Sequence, residues 1–166
     1  MTTDAESAVI DARPPAFVVK LTNLIMRPVL RTPVGRLVKP LALLEFTGRR
    51  SGARRRVIVG WHHNGAAAIV LTPAAWRANF EHGHPTTVYW RGRRSALIGT
   101  LDADPARVAS VVTALLDSGT SARSIALHIP AGHTLDCADI NRTNRAVINF
   151  ERADATPEQH KRYPPA

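Results

Sequence analysis

Short apolar runs separated by turn residues fill the middle of the chain. Leu41-Ala-Leu-Leu-Glu-Phe46 and Val57-Ile-Val-Gly-Trp61 flank a stretch rich in glycine and arginine. The pattern predicts strands over 41–47, 56–62 and 66–72, with Asn64-Gly65 as the hairpin turn between the last two. A second hairpin is expected from Thr86–Trp90 and Ser95–Leu101, around Arg91-Gly-Arg-Arg94. Arg145–Phe150 reads as a final strand. Helical spacing appears in two places. Phe17, Leu21, Leu24 and Ile25 recur at i, i+4, i+7 and i+8, which predicts an amphipathic helix over 16–27 that Pro28 kinks or ends. Val108, Val111, Val112, Leu115 and Leu116 define the clearest helix, with Asp104 as N-cap, Pro105 at the first helical position and Gly119 as the stop. Residues 74–81 and 121–128 suit short helices.

Six strands with few helices, joined mainly as hairpins, give an α+β fold that is mainly β: a small barrel, closed or partly closed. A parallel α/β sheet needs a helix between successive strands, and these gaps are too short. At 166 residues the chain fits one domain. The expected division is a lead-in over 1–15, the barrel domain over 16–152 and a polar tail over 153–166.

Charge narrows the partners. Lys plus Arg number 22 against 13 Asp plus Glu, a formal net charge of +9, which favours anionic ligands, nucleic acid or an acidic membrane surface. Aromatic residues are only 5% of the chain, so stacking platforms for bases are scarce and a nucleic-acid module is disfavoured. The single cysteine, Cys137, rules out an intrachain disulfide and fits a reducing cytoplasm. The N-terminus lacks the basic start and apolar run of a signal peptide. No stretch approaches the ~20 apolar residues of a membrane span. The basic amphipathic arm over 16–39 can pack on the barrel or lie peripherally on the inner membrane surface.

The densest chemistry is Thr47-Gly-Arg-Arg-Ser-Gly-Ala-Arg-Arg-Arg56. Two glycines permit a tight turn and close approach to a ligand. Ser51 and Thr47 offer hydroxyls, and the arginines offer planar forks that match phosphate or carboxylate oxygens. A basic loop is ordinarily a solvated charge run. The glycines and Ser51 interleaved among these charges favour anion binding instead.

The spacing Gly-Arg-Arg-Ser-Gly-x-x-Arg over 48–55 resembles the signature of the deazaflavin (F420)-dependent nitroreductase family, within the split β-barrel oxidoreductases. The order of the other pieces is similar too: an N-terminal arm, Trp-x-x-Asn-Phe at 76–80, and Arg-Thr-x-Arg before a last strand. The resemblance implies a split β-barrel of about six antiparallel strands with flanking helices. It implies coenzyme F420, or less readily FMN, as cofactor, and hydride transfer to a quinone, enone or nitro compound, the alternative being a member that binds its cofactor as carrier or sensor without turnover. Arg49, Arg50, Ser51, Gly52 and Arg55 fall on the positions that cradle the coenzyme's phosphate and acidic tail. Thr72, Trp76 and Asn79 fall in the stretch that seats the ring. A homodimer is common in the family.

Three departures limit the analogy. Arg54 stands where relatives often have proline. Pro73-Ala-Ala replaces a longer Gly-rich stretch before the tryptophan, so the ring-binding loop is shortened. Asp136 and Asp139 stand where nitro-reducing relatives place tyrosines, and two aspartates before a last strand equally suit a turn cap. Trp76 and Phe80, four apart, also suit plain packing anchors. No residue is assigned as catalytic. Glu81-His82-Gly-His84 lacks a third metal ligand, so no metal is expected. A Gly-x-Ser-x-Gly elbow is absent from the sequence.

Overall fold

The computed structural model describes residues 9–11, 28–32 and 40–152. The predicted helix over 16–27, most of the arm over 16–39 and the polar tail from 153 lie outside the described residues. Nine strands are described: β1 (Ile10–Asp11), β2 (Leu41–Thr47), β3 (Arg54–Gly60), β4 (His62–Asn64), β5 (Ala67–Thr72), β6 (His84–Trp90), β7 (Arg93–Asp102), β8 (Leu127–His128) and β9 (Ala146–Arg152). A helical turn over 28–31 and two α-helices, α1 (Pro105–Asp117) and α2 (Cys137–Thr143), accompany them among the described residues, with 3-10 helices over Ala75–Phe80 and Ala122–Ile125.

Seven strands form one sheet in the order β3-β2-β6-β7-β9-β5-β4, and every pairing is antiparallel. The two edge strands are consecutive in the chain. β3 ends at Gly60 and β4 begins at His62, with only Trp61 between. A flat sheet of seven strands would hold its edges about 29 Å apart, six gaps of about 4.8 Å. Two peptide steps reach no more than about 7.6 Å. The sheet therefore curls until its edges nearly meet, the partly closed barrel expected from the strand pattern and consistent with the split-barrel α+β fold that the resemblance implies. The expected strand over 56–62 is in fact two, because the chain changes partner at Trp61, from β2 on one side to β5 on the other.

Side chains alternate between the two faces of the curled sheet. Ala42, Leu44, Phe46, Val59, Trp61, Val70, Val88, Ile148 and Phe150 point inward, and Phe80 plugs the interior from the Ala75–Phe80 helix. Ile69 and Val147 point outward, where Val108, Val112 and Leu115 of α1 and Ile140 of α2 cover them. The periodicity that predicted α1 is thus the contact face. Its caps are as expected. The Asp104 carboxylate accepts from the Arg107 amide at 2.9 Å. At the other end the Gly119 and Thr120 amides donate to the Leu116 and Leu115 carbonyls, with Gly119 at φ +91°, a left-handed stop.

Turn chemistry fixes the registers. Arg91-Gly92 closes β6 to β7 with both residues at positive φ, the primed turn that matches strand twist. In the β4–β5 hairpin, Asn64 pairs with Ala67, so the two-residue turn is Gly65-Ala66 rather than Asn64-Gly65. Only Gly65 takes positive φ there, as a turn with glycine first requires. The expected short helix over 121–128 ends at Ile125, and Leu127–His128 instead pairs with β1.

One glycine makes room for the core. A Cβ on Gly99 in β7 would sit 2.6 Å from Phe80 and 2.8 Å from Phe150. Gly99→Ala should cost about 1–3 kcal/mol, the usual penalty for overpacking a filled core. Denaturant unfolding measures it, and a variant as stable as the parent would contradict this packing.

Candidate functional site

The motif 47–56 closes the β2–β3 hairpin, with Thr47 paired to Arg54. Within the turn the Gly48 amide donates to the Ala53 carbonyl at 2.9 Å, and the Gly52 amide donates to the Gly48 carbonyl at 2.8 Å. Gly52 has φ +63°. The Ser51 hydroxyl accepts from the Ala53 amide at 3.3 Å. A Cβ on Gly48 would lie 2.9 Å from Ser51 Oγ and 3.6 Å from Arg55 Nε. A side chain there would fill the cradle between the serine and the arginine.

Strand alternation divides the arginines. Arg55 pairs with inward-facing Phe46, so it emerges at the open end of the barrel interior. Arg54 and Arg56 fall on the outer face, where both engage Glu45. Arg56 Nε lies 3.0 Å and Arg54 3.4 Å from its carboxylate, and Arg31 from the helical turn over 28–31 makes a third ion pair. The Glu45 side chain is only 3% exposed. A buried carboxylate needs such company to offset its desolvation. Arg56, which begins the strand expected over 56–62, is an ion-pair partner.

Residues 75–80 approach the hairpin from the other side. Asn79 ties the two together: its Oδ1 accepts from the Arg49 amide at 2.9 Å, and its Nδ2 donates to the Trp76 carbonyl at 2.6 Å. Trp76 is half-buried, packed against Phe46 and Phe80 at ring separations of 5.9 Å. Arg77 anchors the helix from behind. It donates to the Thr72 carbonyl at 3.3 Å and to the carbonyl and side chain of Asn144, the left-handed cap of α2. His84, edge-to-face with Phe46 and Phe80, donates through Nε2 to the Thr47 carbonyl at 2.7 Å.

Between these elements lies a cleft of about 690 Å³, lined by Gly48, Arg49, Arg50, Ser51, Arg55, Ala75, Trp76, Ala78, Asn79 and Glu81. That volume suits a drug-sized or cofactor-sized ligand. Arg49, Arg50, Ser51, Arg55, Trp76 and Asn79, singled out in the sequence, converge on it. Gly52 and Thr72 do not line it. Gly52 is exposed, and Thr72 is buried, its hydroxyl accepting from the Ala74 amide at 3.1 Å. Arg49 reaches the Ala78 carbonyl at 3.4 Å and Glu81 at 3.7 Å. Arg50 and Arg55 have no protein partner among the described residues. Sequence reasoning missed Glu81 as a lining residue and Glu45 as the hub of the outer face. Glu45 left a signal: it is the one charge in an apolar strand.

The aspartates before the last strand are structural. They form a capping box on α2, a helix where a turn was expected: Asp136 accepts from the Asp139 amide at 2.9 Å, and Asp139 accepts from the Asp136 amide at 3.2 Å. Asp139 also binds His133 at 2.6 Å and Arg142 at 3.0 Å. Burial alone would raise its pKa, but the hydrogen bonds from His133 and the Asp136 amide, with the His133 and Arg142 charges, hold it below the ordinary value. Among the described residues, no group of three or more His, Cys, Asp or Glu could hold a metal ion. No described helix is long and apolar enough to cross a membrane.

No protein-family model matches the sequence, and no curated protein matches it. Among solved structures it is similar to the FAD and heme binding protein from Mycobacterium smegmatis, at 16% identity and TM-score 0.43, over 78% of this chain and 68% of that one.

The lowered pKa of Asp139 sets a pH dependence. Its stabilising effect is complete above the unfolded value of about 3.8 and is lost as pH falls through the lower folded value. Asp139→Asn should therefore destabilise the protein by about 1–3 kcal/mol at pH 7. Thermal unfolding from pH 7 into the acid range should show the two proteins converging below the ordinary carboxylate value. A gap that stays constant or widens there would refute the assignment.

Proposed function

We propose that the cleft is a cofactor site and that the protein is a deazaflavin-dependent oxidoreductase, carrying a hydride from reduced coenzyme F420 to an electron-poor small molecule such as a quinone, enone or nitro compound. The observation that carries this reading is the pairing, within one cleft, of a half-buried indole with two arginines that have no partner among the described residues. A planar ring joined to an anionic tail meets both demands at once.

The residues present fit such a group. The bare Gly48 leaves the Ser51–Arg55 cradle open, and charge-assisted hydrogen bonds from Arg50 and Arg55 would hold a phosphate there. Trp76 and the methyl groups of Ala75 and Ala78 would flank the ring and keep water from its face. Asn79 would hold the two walls in register. When bound, the cofactor supplies the hydride, and the protein supplies position, a dry surface and anion binding. Asp139 takes no part as a proton donor, since its oxygens are committed to the α2 cap and to His133 and Arg142.

Flavin mononucleotide is the second reading, because its phosphate asks the same of Arg50, Ser51 and Arg55. Fluorescence titration of the purified protein with each cofactor separates the two. Arg55→Ala should weaken the true cofactor about ten- to a hundredfold, the worth of a charge-assisted hydrogen bond. If folded wild-type protein binds neither cofactor, or if Arg55→Ala binds as tightly as wild type, the proposal fails.

A further inference from the structure

Glu81 is the one acid in the cleft lining, and it stands at the end of the Ala75–Phe80 helix within 3.7 Å of Arg49. Both side chains are about half exposed, at 41% for Arg49 and 51% for Glu81, so either can turn toward a ligand. Arg49 also reaches the Ala78 carbonyl, so its guanidinium lies along this helix and not over the Ser51–Arg55 cradle. The lining thus has two electrostatic halves. One carries the compensated Arg49–Glu81 pair beside Trp76. The other carries Arg50, Ser51 and Arg55, with no acidic partner for either arginine among the described residues.

We infer that Glu81 is a specificity-determining residue that competes with a ligand's anionic groups for Arg49 and so limits how much negative charge the cleft accepts. The inference rests on the anion-binding reading of the cleft given above. A ligand with one phosphate is served by Arg50 and Arg55 alone. A ligand with further negative charges must draw Arg49 away from Glu81 and bring its own charge close to that carboxylate. Binding is weakened because an existing pair must be broken, and the ligand's further charge nears the carboxylate only where Arg49 draws it there. The pair is exposed, so the effect is modest and sensitive to salt.

The test compares wild type, Glu81→Gln, Arg49→Ala and the double variant, with inorganic pyrophosphate and FMN as separate probes followed by calorimetry at low and high salt. Glu81→Gln should bind pyrophosphate about two- to fivefold more tightly at low salt, the range of an exposed ion pair. The gain should shrink at high salt and disappear in the Arg49→Ala background. Pyrophosphate binding that is unchanged or weaker in Glu81→Gln, or absent from both proteins, would overturn the inference. So would a gain that survives without Arg49, since Glu81 would then act on the cleft at large. Pyrophosphate scores the anion site without a ring. Wild type that binds pyrophosphate but neither FMN nor deazaflavin would end the cofactor reading while still scoring Glu81.

Discussion

The single residue between β3 and β4 constrains everything else in this molecule. Because Trp61 alone spans the two edges of a seven-stranded sheet, the sheet has no flat alternative. The curl encloses an interior that must then be filled, and the filling is aromatic. Trp61 packs on Phe150 at 5.2 Å and on Trp90 at 6.3 Å, while Phe80 meets Phe46 at 5.0 Å and Phe150 at 6.0 Å. Such ring pairs add to the area they bury. Gly99 is bare because two of these rings occupy the space of its missing side chain. Closure also limits exposed strand edges, which otherwise template association.

The cleft follows from that geometry. The β2–β3 hairpin and the Ala75–Phe80 helix meet because Phe46 and Phe80 share the barrel interior, and Asn79 then bonds the hairpin backbone to the helix. Strand alternation does the sorting. Three successive arginines have two destinations, Arg55 the cleft and Arg54 with Arg56 the buried Glu45. A slip of one residue in the β2–β3 register would exchange these roles and take Arg54 and Arg56 away from the buried Glu45. The Glu45 cluster is therefore as much a register lock as an ion-pair network. It also ties the helical turn over 28–31 to the same sheet face, with Arg31 lying 5.4 Å over the Tyr89 ring.

What could be read in the sequence was local. The strand over 41–47, the α1 caps and the hairpin around Arg91–Arg94 depend on neighbours a few residues away, and the sequence pattern located them, though the turn itself is only Arg91-Gly92. The six cleft residues stood out because glycines and a serine interleave with the arginines and because the spacings resemble a known family's, although Trp76 also suits a plain packing anchor. The break at Trp61 was not legible, because a strand that changes partner keeps the same apolar pattern on both sides of the change. Thr72 was misleading for a related reason. It sits in the right stretch, but its hydroxyl answers a backbone amide two residues on, a local need that spacing does not reveal. Glu81 was overlooked among neighbouring histidines because its importance lies in its distance from Arg49, thirty-two positions away in the chain.

The short segment before Trp76 shapes the chemistry of the cleft. Pro73 has no amide to offer, the Ala74 amide goes to Thr72, and the Arg77 amide goes to the Ala74 carbonyl. Asn79 has already used its carbonyl oxygen on the hairpin and its amide on Trp76. Few hydrogen-bond donors remain on that wall, whose ligand-facing surface is indole and alanine methyl. The opposite wall is the reverse, with Arg50 and Arg55 unpaired among the described residues. A ligand held by such a cleft is gripped at its anionic end and merely rests its apolar face on Trp76. Affinity then follows the ligand's charge, while the ring end stays free to differ. On that asymmetry the exposed Arg49–Glu81 pair, beside Trp76, would tune the preference for more highly charged anions only modestly.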